Sequence, residues 1–455
     1  MSTYELGNQP LGLAKSAAAL VAAGHEVRCV DAAVDQIRLG DVDWAERVAF
    51  SVPMHTAMRL ALQVAELVRV RRPELPLCFF GLYATVSRDL TVKSFADAVI
   101  AGEYESGLVA WVDGKEAGPP IQLARGRALL PARHLVPTLD RYTRLAIDGE
   151  ERLVGSVEAS RGCSHRCRHC PVPVVYDGRV RPVDEATVVA DVDQLVAAGV
   201  RHVTFADADF LNAPQHSRRV VQAIHQRHPG LTFDCTVKVE HVLRHPDVWS
   251  EFAEAGCCFI VSAFESVSDV ILNYLDKGHT VADASRAVIL LREYGIEVRP
   301  SWLPFTPWTT IDGLVDLLDF VIAHDLVANV DPVQYTVRLL LPEGSLLLDR
   351  SEMTPYLGSY DVDRLGWTWL HPSEAVDQLQ RELAAVVEAR IEQNGALTFA
   401  EIDALIRAQA STFRPRPVLG SRSRGPLGQR TRLTESWFCC SEPTTAQLAP
   451  LVPMS

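Results

Sequence analysis

From residue 155 to residue 341 the chain repeats one pattern, a short apolar run followed by a stretch with helical spacing. The runs are GSVEASRG, HVTFADAD, TFDCTVKVE, CCFIVSAFES, EVRPSWLPF and PVQYTVRLLL. Between them lie DEATVVADVDQLVAAG, QHSRRVVQAIHQR, HPDVWSEFAEAG, VADASRAVILLREYG and IDGLVDLLDFVIAHD. Strands that alternate with helices pair in parallel, and this number of each suits a partial (β/α)6 barrel. The chemistry of such a barrel is expected at the C-terminal ends of its strands.

A shorter alternation precedes it. PLGLAKSAAALVAAG has helical spacing and stops at Gly24, and HEVRCVD reads as a strand. RVAFSVP and PLCFFGLY are further strands around the helix TAMRLALQVAELVRVRR, and FADAVIAGEYE closes the series. The pattern predicts an α/β chain with a flavodoxin-like domain over residues 1–110. A Pro-, Gly- and Arg-rich linker is expected over 111–150, and the barrel over 151–345. Residues 346–411 read as helical, including the amphipathic stretch SEAVDQLQRELAAVVEARIEQNG. Residues 412–455 read as a mobile arginine-rich arm that delivers a tail, SWFCCSEPTTAQLAPL.

Charge narrows the class. Lys plus Arg number 44 and Asp plus Glu 57, giving −13, which argues against a nucleic-acid partner. No apolar run reaches membrane-spanning length and no export signal is evident, so a cytoplasmic protein is expected, with no membrane partner. Seven of the ten cysteines fall in three tight groups, 163/167/170, 257/258 and 439/440. That usage fits a reducing compartment with local thiol chemistry. Cys257 and Cys258 read as core residues.

RGCSHRCRHC, Arg161 to Cys170, spaces three thiols Cys-x₃-Cys-x₂-Cys in the loop after the first barrel strand. Three thiolates can hold three irons of a cubic cluster and leave the fourth iron open to an outside molecule. Zinc is the competing reading, since His165 and His169 can supply a fourth ligand.

With that motif in that place, residues 155–345 resemble the radical S-adenosylmethionine (SAM) superfamily. The resemblance implies that Cys163, Cys167 and Cys170 ligate a [4Fe-4S] cluster and that SAM chelates the open iron. It also implies an enzyme that cleaves SAM reductively, acts on a small-molecule substrate, and draws on a low-potential electron donor such as flavodoxin or ferredoxin. Polar groups at strand ends are candidates for holding SAM. Alternation in TFDCTVKVE turns Asp234, Thr236, Lys238 and Glu240 toward the barrel, with Lys238 and Glu240 near its mouth. Asp207 and Asp209 end the previous strand, where the superfamily often carries Gly-Gly-Glu, and Asp207 is assigned that role. Glu265, Arg299 and Arg338 lie on the fourth, fifth and sixth strands. The plainer reading of these charges is ion pairing or a solvated rim, but so many on barrel strands are costly to bury without a polar ligand.

RVAFSVPMHTAMRLALQVAELVR, CFFGLYAT and AGEYE resemble the cobalamin-binding-like domain that precedes many radical SAM barrels. The cobalt-ligating Asp-x-His-x-x-Gly is absent, so a structural domain is favoured over a cobalamin-loaded one. Ser51 and Thr85 are the contacts if a corrinoid binds, and His25 and His55 read as surface or turn residues. WFCCSEP resembles the tail of CUAEP/CCAEP-tail radical SAM (seleno)proteins, with Ser441 where Ala is usual. Arsinothricin-biosynthesis radical SAM enzymes, which move the 3-amino-3-carboxypropyl group of SAM to trivalent arsenic, look related. In that reading Cys439 and Cys440 are catalytic, as a substrate anchor or redox partner, and a vicinal dithiol suits a soft element. The alternatives are a cobalamin-dependent radical methyltransferase and a non-enzymatic iron–sulfur or zinc protein.

Overall fold

A computed structural model describes residues 1–86, 95–126, 128–390, 395–412, 414–417 and 430–435. Cys439 and Cys440 lie outside the described residues. Strands β1 (Val48–Ser51), β2 (Leu77–Phe80), β3 (Ala98–Gly102) and β4 (Ile121–Gln122) form a parallel sheet in that order. Helices Leu11–Ala22 and His55–Arg71 accompany it. HEVRCVD does not form the expected strand. Ser2 bridges both Asp31 and Ser51, and the chain turns away at once, Val34 N–H donating to the Asp31 carbonyl. One residue of pairing is too little for a ladder.

The barrel sheet runs in the order β12 (Glu297–Trp302), β11 (Cys257–Glu265), β10 (Thr232–Thr236), β9 (His202–Phe205) and β6 (Glu150–Val157), with all neighbours parallel. β5 (Arg144–Ile147) then pairs antiparallel with β6, and β15 (Arg432–Leu433) antiparallel with β5. β7 (Ser160–Gly162) and β8 (Val180–Pro182) make a separate antiparallel pair.

Four further expectations need correction. The sixth barrel strand is not a strand: Pro332–Tyr335 is a 3₁₀ turn, and Arg338 keeps one parallel bridge to Phe305. Proline at 332 favours the turn and removes a ladder donor. The region after 346 is not all helical, because β13 (Leu357–Asp361) and β14 (Gly366–Trp369) form a hairpin before helices Glu374–Ala389 and Gly395–Ala408. Residues 430–435 do not hang free. They add a strand to the barrel sheet, and Arg430 is ion-paired with Asp325. Residues 111–150 contain β4, β5 and the buried Arg133, whose guanidinium holds Asp191 at 2.6 Å and the Ser156 carbonyl.

Alternation fixes what faces where. On β10, Phe233 and Cys235 join the apolar core under the helices, with Val192, Leu195 and Trp249. Asp234, on the other face, accepts from Thr204 Oγ1 at 2.7 Å and lies 2.8 Å from His202 Nε2. The pattern ends at Thr236. Lys238 is the residue before helix Val239–Arg244, so Glu240 rides in a first helical turn and not on a strand. The barrel therefore has an apolar outside under its helices and a mixed inside, where His202, Thr204 and Asp234 sit beside Val154, Phe259 and Val261.

Candidate functional site

The β7–β8 pair closes a loop around the three cysteines. Gly162 enters it at φ +78°, and a Cβ there would lie 2.2 Å from the Arg179 carbonyl oxygen, so the close approach needs glycine. Asp207, at the end of β9, staples the base of the loop by accepting from Ala159 N–H at 2.9 Å and Ser160 Oγ at 2.6 Å. Burial pushes the Asp207 carboxyl up to about 7, against the pull of these two donors. Within the loop, Ser164 N–H donates to Asn212 Oδ1, and Arg168 N–H to the Leu275 carbonyl. Cys163 and Cys167 are buried and Cys170 is partly so. Burial, then the nearby Asp209, pushes the Cys163 thiol up to about 12. A thiol so disfavoured as a bare anion is one that a cationic centre would stabilise as thiolate, so this donor set fits an iron–sulfur cluster.

Beside the loop lies a largely buried polar cluster. Glu265, at the end of β11, adopts φ +63° beside a register shift in the β11–β12 ladder. One of its oxygens lies 3.1 Å from both His169 Nε2 and Lys277 Nζ. Burial alone would raise the Glu265 carboxyl, but the Lys277 ammonium and His169 hold it well below the usual range. Burial alone would lower Lys277, but Glu265 together with Cys167 and Cys170 holds it above the usual range. Lys238 Nζ lies 3.7 Å from Glu240 Oε2. Gly278, at φ +72°, brings the next loop against this pair, its Cβ position 2.7 Å from Glu240 Oε2. His279 follows, buried, with neither ring nitrogen hydrogen-bonded. Burial, then Lys277 and Lys238, lowers it to about 4, so the ring is neutral near pH 7. Two ammonium groups and an unpartnered imidazole beside the thiols suit an anionic ligand group, and Glu240 suits an amine or hydroxyl.

The structure thus gathers the cysteines, Lys238, Glu240 and Glu265. Asp207 is committed to the loop base. Arg299 lies lower in the barrel, 2.9 Å from Asp331 and over the Phe259 ring, beside a cavity of about 40 Å³ also lined by Gln334, Leu433 and Glu435. Arg338 is tied to Asp377 and stacks on Trp369. Lys277 and His279 were missed by sequence reasoning, because DKGHT sits in a loop with no periodicity; its one signal was a glycine between two basic residues. Cys257 is buried in the core and Cys258 partly so.

The N-terminal sheet meets the barrel edge to edge. Arg161, next to the cluster loop, reaches Glu158 at 2.8 Å, Glu105 at 3.0 Å and Glu103 at 3.4 Å, and Lys15 also pairs with Glu158. Ala101 of β3 packs with Val175 and Tyr176. The C-terminal end of β3 therefore lies against the loop that follows β6, beside the cysteines. Along that edge Ser51 is buried, and the buried Thr85 Oγ1 has no hydrogen-bond partner among the described residues. His55 is not a surface residue: it is buried, and its Nε2 lies 2.7 Å from the Arg364 carbonyl. His25 is on the surface beside Asp113.

Residues 157–321 match the radical SAM superfamily. An uncharacterized methyltransferase of Pyrococcus horikoshii, PH0819, is 23% identical over 358 residues, 73% of this chain and 76% of that protein. The hopanoid C-3 methylase of Methylococcus capsulatus is 25% identical over 328 residues, 66% of this chain and 62% of that one. In fold the chain resembles TsrM from Kitasatospora setae, solved with cobalamin and a [4Fe-4S] cluster bound, at TM-score 0.60, 19% identity and coverage of 82% and 81%. It also resembles OxsB, a cobalamin-dependent SAM radical enzyme, at TM-score 0.63 and 15% identity, covering 83% of this chain and 64% of that one. Among the described residues no helix is long and apolar enough to cross a membrane.

Proposed function

We propose that this chain, which carries a radical SAM domain and is an enzyme of that type, transfers a methyl group to a small-molecule substrate with a corrinoid held at the N-terminal sheet. The observation that carries the reading is the edge-to-edge meeting through Arg161, since anything lodged on the N-terminal edge would lie over the cysteine loop. The methyltransferase and methylase relatives support the choice of group. When bound, the cluster supplies an electron to SAM and the corrinoid carries the alkyl group. The chain's own residues do the rest. Cys163, Cys167 and Cys170 hold three irons. Lys238 and Lys277 neutralise a carboxylate, Glu265 keeps Lys277 charged and oriented, and Glu240 takes an amine or hydroxyl. The burial of these groups keeps water from the reacting centre. His55 is taken by the Arg364 carbonyl and Asp-x-His-x-x-Gly is absent, so Ser51 and Thr85 are the residues that would contact a corrinoid. Anaerobic reconstitution with SAM, reductant and hydroxocobalamin tests it. Methyl transfer that needs the corrinoid is expected, and SAM cleavage indifferent to it would overturn the corrinoid part.

A second reading rests on β15. This strand is antiparallel to β5 and therefore runs with β6, toward the barrel mouth, and ends near Thr143 and Tyr4. Cys439 comes four residues after Glu435 in sequence, and four extended residues span about 13 Å. Tail thiols within reach of the mouth would anchor a soft substrate such as trivalent arsenic for transfer of the 3-amino-3-carboxypropyl group. Methylthioadenosine formed only with arsenite, and lost in Cys440→Ser, is the expected result; an unaffected variant overturns it.

A further inference from the structure

His165, Asp209 and His241 converge from three elements: the cysteine loop, the segment after β9, and helix Val239–Arg244. We propose that these three residues form a second metal site, separate from the cluster, for one divalent first-row transition ion of the Zn²⁺ or Fe²⁺ type. One ligand atom from each lies within 4.8 Å of the others. An imidazole gives one ion one nitrogen: His241 Nδ1 lies 2.8 Å from Asp209 Oδ2 and His165 Nε2 lies 3.7 Å from the same oxygen, while His241 Nε2 is 3.2 Å from His165 Nε2. Two imidazoles and one carboxylate suit an ion of borderline softness and leave coordination positions open.

Two further observations point to an ion and not to a plain hydrogen-bonded chain. Asp209 is fully buried and His241 is 4% exposed. Yet His241 Nδ1 makes no hydrogen bond, although it sits 2.8 Å from Asp209 Oδ2. The proximity and the missing bond agree if the two atoms are misaligned: close, buried and aimed past each other, as ligands of one centre are. Leaving that imidazole nitrogen unsatisfied in the interior is costly. Asp209 Oδ1 accepts from Leu211 N–H at 3.0 Å and Oδ2 from Lys238 N–H at 3.4 Å, which orients the carboxylate and leaves a second lone pair of Oδ2 for the ion. On the far side of His165, Nδ1 lies 3.6 Å from Glu240 Oε2, the outer carboxylate that commonly orients a ligating imidazole. Lys238 is the nearby cation, and Glu240 balances its charge.

The consequence is mechanical as well as chemical. His165 lies between Cys163 and Cys167, so an ion here bolts the middle of the cysteine loop to the ends of β9 and β10. The test uses the full-length protein with its cluster assembled anaerobically, titrated with Co²⁺ as the probe. One tight equivalent is expected, with visible ligand-field bands and no sulfur-to-cobalt charge transfer. His241→Gln and Asp209→Asn should each weaken it by at least about 100-fold, in line with loss of a direct ligand, while iron and sulfide content hold. Absence of a stoichiometric site, or binding undiminished in both variants, overturns the proposal. If a variant loses its cluster, X-ray absorption at the cobalt edge of the unaltered protein decides. Nitrogen and oxygen neighbours support the site, and sulfur neighbours overturn it. The result is independent of whether methyl transfer is ever observed.

Discussion

At the C-terminal edge of the barrel sheet, β9 leads into Asp207 and Asp209, β10 into Lys238, and β11 ends in Glu265. At the same edge of the N-terminal sheet, β1 ends in Ser51, β2 leads into Gly81, and β3 ends in Gly102. The two sheets share an architecture and differ in what they present. Each barrel charge is buried and held: Asp207 by Ser160, Asp209 near His241, Lys238 by Glu240, Glu265 by Lys277. The N-terminal edge instead brings backbones together, a Cβ on Gly81 meeting the Val52 carbonyl oxygen at 3.1 Å and one on Gly102 meeting that of Gln122 at 2.1 Å. One edge presents buried charges, and the other close-packed backbone that leads into Glu103 and Glu105. Arg161 joins the two.

If that contrast is right, substitutions on the barrel edge cost far more than on its counterpart. The largest effect is expected for Glu265→Ala, which strands Lys277 and His169 without their partner. Breaking a buried pair this way costs about 3–5 kcal/mol, measurable as a shift in denaturant midpoint. Asp207 comes next, through pH. Its folded pKa, about 7, lies above the ordinary 3.8, so the folded state binds the proton more tightly. The stabilisation is fully present below the unfolded value and is lost as pH rises to about 7, by at most about 4 kcal/mol. Asp207→Asn should lack this slope, and a variant whose stability falls in parallel with the unaltered protein contradicts the assignment.

The joint between the edges is expected to matter somewhat less. Arg161→Leu leaves Glu103 and Glu105 without their guanidinium, while Lys15 still holds Glu158. A loss of about 3 kcal/mol is expected, with the N-terminal sheet becoming the first region to exchange amide hydrogens. Uniform loss of protection across both sheets would deny the joint its special place. The smallest effect belongs to Thr85→Val. Its hydroxyl is buried and unbonded, so replacing it should change stability by under about 0.5 kcal/mol. It should still lower corrinoid retention if Thr85 contacts that group.

What could be read from sequence follows the same division. The cysteine loop and the place of Glu265 at the end of its strand were legible because thiol spacing and strand patterning are local signals, whereas the strand that was to carry Lys238 stops at Thr236. Both sheets were legible too, since βα alternation is periodic, although HEVRCVD and PVQYTVRLLL shrank to single bridges where a turn cut pairing short. Lys277, His279 and the grouping of His165 with His241 were not legible. They depend on loops folding back across the barrel mouth, and no sequence period encodes that. Glu240 was placed on the right side of the barrel for an incomplete reason, because the chain becomes helical one residue before it. β15 was hidden for a different cause: two residues in an arginine-rich stretch gain strand geometry only from the exposed edge of β5.

The central claim is that three cysteines leave one iron open for SAM. It is tested most directly by electron paramagnetic resonance of the reduced, cluster-loaded protein before and after SAM is added. The account predicts a changed signal, carried by a single distinguishable iron and absent in Cys167→Ala. A cluster signal that SAM leaves untouched, with all four irons ligated by side chains, would contradict it.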